Sequence, residues 1–299
     1  MDFKNYLVPG KTGLLIGIGG VSMSPLAEVL HDAGLDIRGS DMAESSNTLT
    51  LRERGIPIHI GHSADNVTDD ISFVIRTAAV HDDNPEVHEA HRRGIPVFER
   101  TQAWGALMRG YQNALCISGT HGKTTTTSMC THIMMAAEKD PTVMIGGTLP
   151  LLKACHRVGK GNTIIMESCE YYNSFLALNP TIAVVLNIEA DHLDFFKDLE
   201  DIKHSFRCFA ERVPAETGTV IANYDDANTM DALRGIARKV ITFGLNAKAD
   251  VYAQNIVHRG SVSEFDIYHR GNYFARVTLH VPGIHNVRNA LAATAVSYT

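Results

Sequence analysis

The chain has 299 residues, 44% of them apolar, 20% charged and 7% aromatic, with 27 basic side chains against 33 acidic ones and a net charge of -6. That length predicts two domains at roughly 150 residues each, with ample core in both, and the composition excludes disorder, a collagen-like repeat and a disulfide-dense scaffold. A mildly acidic balance without long Lys/Arg runs speaks against nucleic acid as a partner, because phosphate binding needs clustered cations.

Along the chain, Gly13-Leu-Leu-Ile-Gly-Ile18 reads as a buried strand. Glycines follow it, and Ser24-Pro25 predicts a helix start, with Ser as the cap and Pro in the first turn. Leu26, Val29 and Leu30 give that helix its stripe, and Gly34 ends it. Further strands are expected at 56–60, 73–75 and 96–98, and helices at 48–54 and 85–93. This β-α-β-α order predicts an α/β fold with a mostly parallel sheet. A second alternating unit starts near Asn113: a strand at 114–118, a glycine-containing loop and a helix from Lys123 towards Ala137. The apolar runs at 163–166 and 181–187 do not alternate and read as central strands. A helix is expected at 198–212. The better alternation at 251–257, 263–268 and 273–281 predicts an antiparallel ribbon before a last helix near Ile284. The boundary falls between Arg100 and Asn113, dividing the chain into 1–108 and 109–299.

Cys116, Cys130, Cys155, Cys169 and Cys208 are scattered and never form a C-x-x-C pair, the pattern of reduced thiols in a cytoplasmic protein. The apolar stretch at 14–18 is too brief for a secretory core and far below the ~18 residues of a membrane span. No membrane partner is expected.

Gly119-Thr-His-Gly-Lys-Thr-Thr125 lies between a strand and a helix, the context a phosphate loop requires. Gly119, Thr120, His121, Gly122 and Thr125 would offer backbone N–H groups at the positive end of the helix. Lys123 would neutralise β/γ-phosphate charge, and the Thr124 hydroxyl would bind Mg²⁺. Ile117 stands where the general P-loop pattern has its first glycine. Gly17-Ile-Gly-Gly-Val-Ser22 is a second strand-to-helix turn, and Ser40-Asp41 falls about where an acidic residue grips a ribose hydroxyl. Its spacing fits a dinucleotide or another nucleotide diphosphate, with Ser22 replacing the third glycine. Two phosphate cradles imply two nucleotide-bearing ligands. Glu167 ends the 163–166 strand, Glu170 follows it, and His192 lies just after the 181–187 strand. In a parallel sheet those strand ends converge, so Thr124, Glu167 and His192 are expected around one phosphate-bound Mg²⁺. The other histidines have no metal-binding spacing. Tyr171-Tyr172 would line a substrate pocket or pack.

Taken together, these residues resemble the Mur ligase family. The resemblance rests on Gly17-Ile-Gly-Gly-Val-Ser-Met-Ser24, Gly39-Ser-Asp41, Asn84-Pro-Glu86, Ser118-Gly-Thr-His-Gly-Lys-Thr-Thr-Thr-Thr127, Asp140-Pro-Thr142 with Gly146-Gly147, Asn187-Ile-Glu-Ala-Asp-His192 and Gly283-Ile-His-Asn-Val-Arg-Asn289, in family order from end to end. It implies a Rossmann-like N-terminal domain that binds a UDP-sugar through Gly19, Gly20, Ser22, Ser40 and Asp41. It also implies a P-loop ATPase-like central domain that binds Mg-ATP through residues 119–125, with His285, Asn286 and Asn289 at the adenine. Thr124, Glu167 and His192 match the family's metal ligands, and Lys123, Glu167 and His192 its catalytic set. The implied reaction is ATP-dependent amide formation on UDP-N-acetylmuramate through an acyl phosphate, with L-alanine as the amine. Attachment of a whole tripeptide to the same UDP-sugar, as in murein-peptide recycling, is the alternative, and a non-catalytic UDP-sugar-binding module is another. A nicotinamide-dependent dehydrogenase would leave the Gly-Lys-Thr-Thr loop unexplained.

Three departures from the family pattern stand out. Ser22 occupies a usual glycine position, and the carbamate-modified lysine that many relatives carry downstream of the matched histidine has two nearby counterparts, Lys197 and Lys203, with neither fixed by the pattern. Family members also carry a third domain that supplies amino-acid-binding contacts, and the sequence stops about ten residues past the adenine motif. It is therefore expected to be a two-domain fragment, inactive alone.

Overall fold

The computed structural model describes residues 2–298 and divides into two units, Met1–Gly110 and Tyr111–Thr299. The first alternates strand and helix through β1 (Thr12–Ile16), α1 (Met23–Asp32), β2 (Asp36–Asp41), α2 (Ser46–Glu53), β3 (Ile58–Ile60), β4 (Ile71–Arg76), α3 (Pro85–Arg92), β5 (Val97–Glu99) and α4 (Arg100–Met108). Its strands pair in parallel, in the order β3-β2-β1-β4-β5. A sheet covered on both faces needs apolar strands, and Leu14, Leu15, Ile16, Phe73, Val74 and Ile75 are wholly buried.

Helix α1 begins at Met23 with Ser22 as its N-cap, two residues ahead of the expected Ser24 cap. Pro25 still falls in the first turn, where its missing N–H leaves no intrahelical bond unmade. Strand β2 had no sequence signal, because Asp36-Ile-Arg-Gly-Ser-Asp41 lacks an apolar run. Its place between β1 and β3 is fixed by close packing instead. A Cβ on Gly39 would meet the Ile18 side chain at 2.3 Å. Sheet order reverses at β1, flanked by β2 and β4, so a crevice opens at the carboxyl ends of these strands.

The second unit contains β6 (Asn113–Ser118), α5 (Lys123–Ala136), β7 (Thr142–Leu149), β8 (Ala154–Arg157), β9 (Thr163–Glu167), β10 (Ile182–Val185), α6 (Leu199–Ala210), β11 (Thr219–Asn223), α7 (Ala227–Ala232), β12 (Lys239–Gly244), β13 (Val251–Arg259), β14 (Val262–His269), β15 (Asn272–Leu279) and α8 (Ile284–Val296). One mixed sheet runs β15-β14-β13-β12-β11-β10-β6-β9-β7-β8. Its centre is parallel, β8 is antiparallel at one edge, and the expected antiparallel ribbon forms the other through β13, β14 and β15. Strands β7, β8, β11 and β12 were not anticipated.

Helices α5 and α8 cover one face, Val287 and Leu291 of α8 joining Leu115, Ile117, Val184 and Leu186 of the sheet side in one buried cluster. Near α6, Phe175 stacks on Phe209 with ring centroids 4.6 Å apart and meets Phe206 edge-on. Each such side chain contributes about 1.5–3 kcal/mol on burial. Here the sheet reverses at β6, between β10 and β9, so the segments after β6, β9 and β10 leave from the same end. Among the described residues no helix is long and apolar enough to cross a membrane.

Candidate nucleotide-binding sites

In the first unit the turn after β1 is held from within. Gly17 takes a positive φ of 78°, and Gly20 N donates to Gly17 O at 3.1 Å. The Asp41 carboxylate, at the end of β2, accepts from Gly19 N at 2.8 Å, and Asn47 Nδ2 donates to Gly19 O at 2.8 Å. A side chain on Gly19 would collide with Thr48, Asp41 and Ser45. Ser22 follows in helical backbone, half-buried, and its carbonyl accepts from Trp104 Nε1. The cleft above this turn has a volume of about 640 Å³ and is lined by Gly17, Gly19, Gly20, Asp41, His62 and Asn84 among others. Ser40 is buried beside it, its hydroxyl bonded to Glu86. The structure thus gathers Gly19, Gly20, Ser40 and Asp41 around one cleft. Ser22 sits one residue ahead of α1 and is not among the cleft-lining residues.

In the second unit Gly119 has φ 142° and Gly122 φ 88°, conformations that disfavour any side chain. A Cβ on Gly119 would meet Leu186 Cβ at 2.9 Å, and one on Gly122 would meet Asn289 Oδ1 at 2.8 Å. The loop is laced to the segment after β10. Thr120 N donates to Asn187 O, Glu189 N to Thr120 Oγ1, and the Asn187 side chain both accepts from His121 N and donates to His121 O. Gly122 is the N-cap of α5, and Thr125 lies half-buried in its first turn. Lys123 folds back over the loop. Its ammonium donates to Gly119 O at 2.6 Å and Thr120 O at 3.2 Å, and pairs with buried Glu170 at 3.2 Å.

Thr124 Oγ1 donates to Glu167 Oε1 at 3.0 Å, while Gly146 N donates to Glu167 Oε2 at 2.7 Å. Gly146 must lack a side chain, because a Cβ there would stand 2.8 Å from that carboxylate. Thr124 and Glu167 form a pair of hard oxygen donors at the start of a helix, a set suited to Mg²⁺. His192 lies in the loop after β10. It has φ 52°, its ring stacks on Tyr171 at 4.3 Å, and Nε2 lies 3.9 Å from Asp191. Among the described residues no group of three His, Cys, Asp or Glu side chains stands close enough to hold a metal. Tyr171 donates to Asp194, and that hydrogen bond holds the phenol's proton and pushes its pKa up.

A second cavity, of about 370 Å³, lies beside the phosphate loop, lined by His121, Asn187, Phe243, His285, Arg288 and Asn289 among others. Asn286 is not among its lining residues. Its amide donates to Pro282 O and its carbonyl accepts from Asn289 Nδ2, tying down the start of α8. Four contributors escaped sequence reasoning: Glu170, Asn187, Phe243 and Arg288. Glu170, Asn187 and Arg288 carried some signal, as neighbours of residues already singled out, and Phe243 carried none. Lys203, one of the two lysines weighed for modification, is paired with Glu200 and Asp231 at 2.6 Å each.

Two family profiles cover nearly the whole chain, one described as the Mur ligase family, catalytic domain, over residues 15–112, and the other as the Mur ligase middle domain, over residues 117–297. The chain belongs to the Mur ligase family. A curated relative from Agathobacter rectalis, named UDP-N-acetylmuramate–L-alanine ligase, is 46% identical over 285 residues, which is 95% of this chain and 62% of the relative. The chain therefore spans about 62% of the length of that relative. Among solved structures, the UDP-N-acetylmuramate–alanine ligase of Thermotoga maritima superposes with a TM-score of 0.78 at 30% identity, over 95% of this chain and 64% of that one. A second Mur ligase, UDP-N-acetylmuramate:L-alanyl-gamma-D-glutamyl-meso-diaminopimelate ligase of Neisseria meningitides, gives a TM-score of 0.85 at 26% identity, over 97% and 93%.

Proposed function

We propose that this chain carries the UDP-sugar and ATP sites of a cytoplasmic ligase that joins L-alanine to the lactyl carboxylate of UDP-N-acetylmuramate. The observation that carries the reading is the pair of glycine turns at the two sheet reversals, one with a lysine and one without. A turn lacking a cation suits a diphosphate held by backbone N–H groups. A turn with Lys123 suits a triphosphate whose terminal group is transferred. The 46% identity to an L-alanine-adding relative favours that acceptor. The fold match to the Neisseria enzyme favours a tripeptide acceptor as the second reading, at a lower identity of 26%.

In the first step an oxygen of the lactyl carboxylate bonds to the γ-phosphorus, the β,γ-bridging P–O bond breaks, and ADP leaves with the electron pair. The amine nitrogen then bonds to the acyl carbon, loses a proton, and inorganic phosphate departs from the acyl phosphate. Lys123 would exchange its loop carbonyls for γ-phosphate oxygens and offset the charge they carry through transfer. Thr124 and Glu167 would hold Mg²⁺, which when bound neutralises phosphate charge. The loop N–H groups at the head of α5 would fix the polyphosphate in line with its acceptor. His285 and Asn289 would meet the adenine from α8.

Calorimetry on the 299-residue chain tests the binding assignments, with UDP-N-acetylmuramate, Mg-ATP and NAD as titrants. Saturable binding of the first two and none of NAD is expected. Binding of NAD in place of the UDP-sugar would overturn the assignment of the first turn. In the whole protein, phosphate release that depends on L-alanine and not on tripeptide would separate the two acceptor readings.

A further inference from the structure

Asn84-Pro-Glu86 is a family piece for which neither proposed step has a use. Glu86 is wholly buried, yet a buried carboxyl is costly unless its oxygens are satisfied. Three side chains from distant parts of the first unit satisfy it. Asn66 Nδ2 donates to Oε1 at 2.6 Å, the Ser40 hydroxyl donates to Oε2 at 2.7 Å, and His62 Nδ1 lies 2.8 Å from Oε2. The carboxyl is also fixed from its own backbone, since Glu86 N donates to Asn84 Oδ1 at 2.9 Å in the cap of α3.

This arrangement assigns the histidine's two nitrogens different tasks. The Ser40 proton is committed to Glu86, so the proton on His62 Nδ1 is shared between Glu86 Oε2 and Ser40 Oγ, 3.2 Å away. With Nδ1 occupied, Nε2 is the remaining polar atom of the ring, and among the described residues it has no partner. The ring lines the 640 Å³ cleft, and its side chain retains 11% of its exposure. His62 follows β3, and β3 pairs with β2, the strand that brings Ser40 and Asp41 to the cleft. In an open parallel sheet that side of the crevice faces the nucleoside, while the glycine turn faces the phosphates.

We infer that His62 Nε2 meets the nucleoside half of the UDP-sugar, and that Glu86 is a positioning residue which sets the ring's tautomer and angle through Nδ1. The inference rests on the assignment of the first unit to a UDP-sugar. Glu86 acts on the ligand only through His62.

A double-mutant cycle with calorimetry on the 299-residue chain tests it, using UDP and UDP-N-acetylmuramate as titrants. His62→Ala is expected to weaken both about tenfold, the size of one lost hydrogen bond of ~1.4 kcal/mol. Glu86→Gln puts an amide N–H₂ against Nδ1 or Asn66, disturbs the tautomer and weakens binding about three- to tenfold. The double variant should then bind no worse than His62→Ala alone, because a residue acting through His62 has nothing left to act on. Losses that multiply would overturn the positioning role and leave Glu86 as a fold element. Because Glu86→Gln disturbs a wholly buried group and is expected to lower stability, the unaltered protein supplies an independent readout. In ¹⁵N spectra of His62, Nδ1 should carry the proton, and only Nε2 should move strongly as UDP is added. A static Nε2 signal under saturating UDP contradicts the inference while sparing the UDP-sugar reading. Absence of any UDP binding by the unaltered chain contradicts both.

Discussion

The two glycine turns occupy equivalent places, each after a central strand where the sheet order reverses, yet they are held by opposite charges. In the first unit a carboxylate, Asp41, accepts from a loop N–H, and a second carboxylate lies buried behind it in a net of neutral donors. In the second an ammonium, Lys123, lies across the loop carbonyls and against Glu170. The lesson is chemical. A site that only binds a diphosphate can rely on backbone donors and hydrogen-bonded acids for shape. A site that transfers a phosphoryl group needs a mobile cation whose resting partners can be exchanged for phosphate oxygens.

Breaking the cation gives the largest effect expected. Lys123→Ala should lower ATP-dependent phosphate release in the whole protein by about 10²–10³-fold, the scale for loss of one positioned charge at a developing anion. UDP-sugar affinity should stay within twofold of the parent. Next comes the carboxylate that pairs with Thr124. Glu167→Ala should weaken Mg²⁺-dependent ATP binding about 10–100-fold, read by titrating Mg²⁺ at fixed ATP. Preserved affinity there would show that Glu167 only braces Gly146 and Thr124.

A smaller effect sharpens the contrast in backbone terms. Gly119→Ala forces a Cβ to within 2.9 Å of Leu186 at φ 142° and should cost the second unit about 1–3 kcal/mol. A chemical-denaturation curve with two transitions should then show only the second unit's midpoint falling. The smallest is electrostatic and confined to the first unit. Arg92 and Arg93 hold the Glu89 carboxyl down from 4.5 to about 2. A depressed carboxyl stabilises the fold above its ordinary pKa, and that contribution fades as pH falls from about 4.5 towards about 2. Glu89→Gln should therefore lower stability at neutral pH and flatten its fall with acid. An unchanged acid profile would show the ion pairs to be solvated and without weight.

Much of this architecture was legible because central parallel strands are apolar throughout: β1, β6, β9 and β10 announced themselves. Strand β2 did not, since its burial comes from Gly39 packing on Ile18 and from Ser40 bonding to Glu86, contacts between residues far apart in sequence. Strand β7 went unseen because Gly146-Gly147 interrupts its apolar run, where Gly146 is small to admit the Glu167 carboxylate. The helix start at Met23 was misplaced because Ser22 caps by backbone position, without a side-chain bond. At the sites, Thr124 and Glu167 were expected together and are hydrogen-bonded. His192 stacks on Tyr171, in a loop whose left-handed turn no sequence pattern signals. Glu170 and Glu86 were visible as residues but silent as partners, because a sequence does not say which way a buried carboxylate points.

The central claim is that two different nucleotides occupy two separate sites, and calorimetry with Lys123→Ala against the parent chain tests it most directly. The account predicts unchanged binding of UDP-N-acetylmuramate and loss of Mg-ATP binding in the variant. Loss of UDP-sugar binding together with ATP would contradict it, placing both ligands at the loop that carries Lys123.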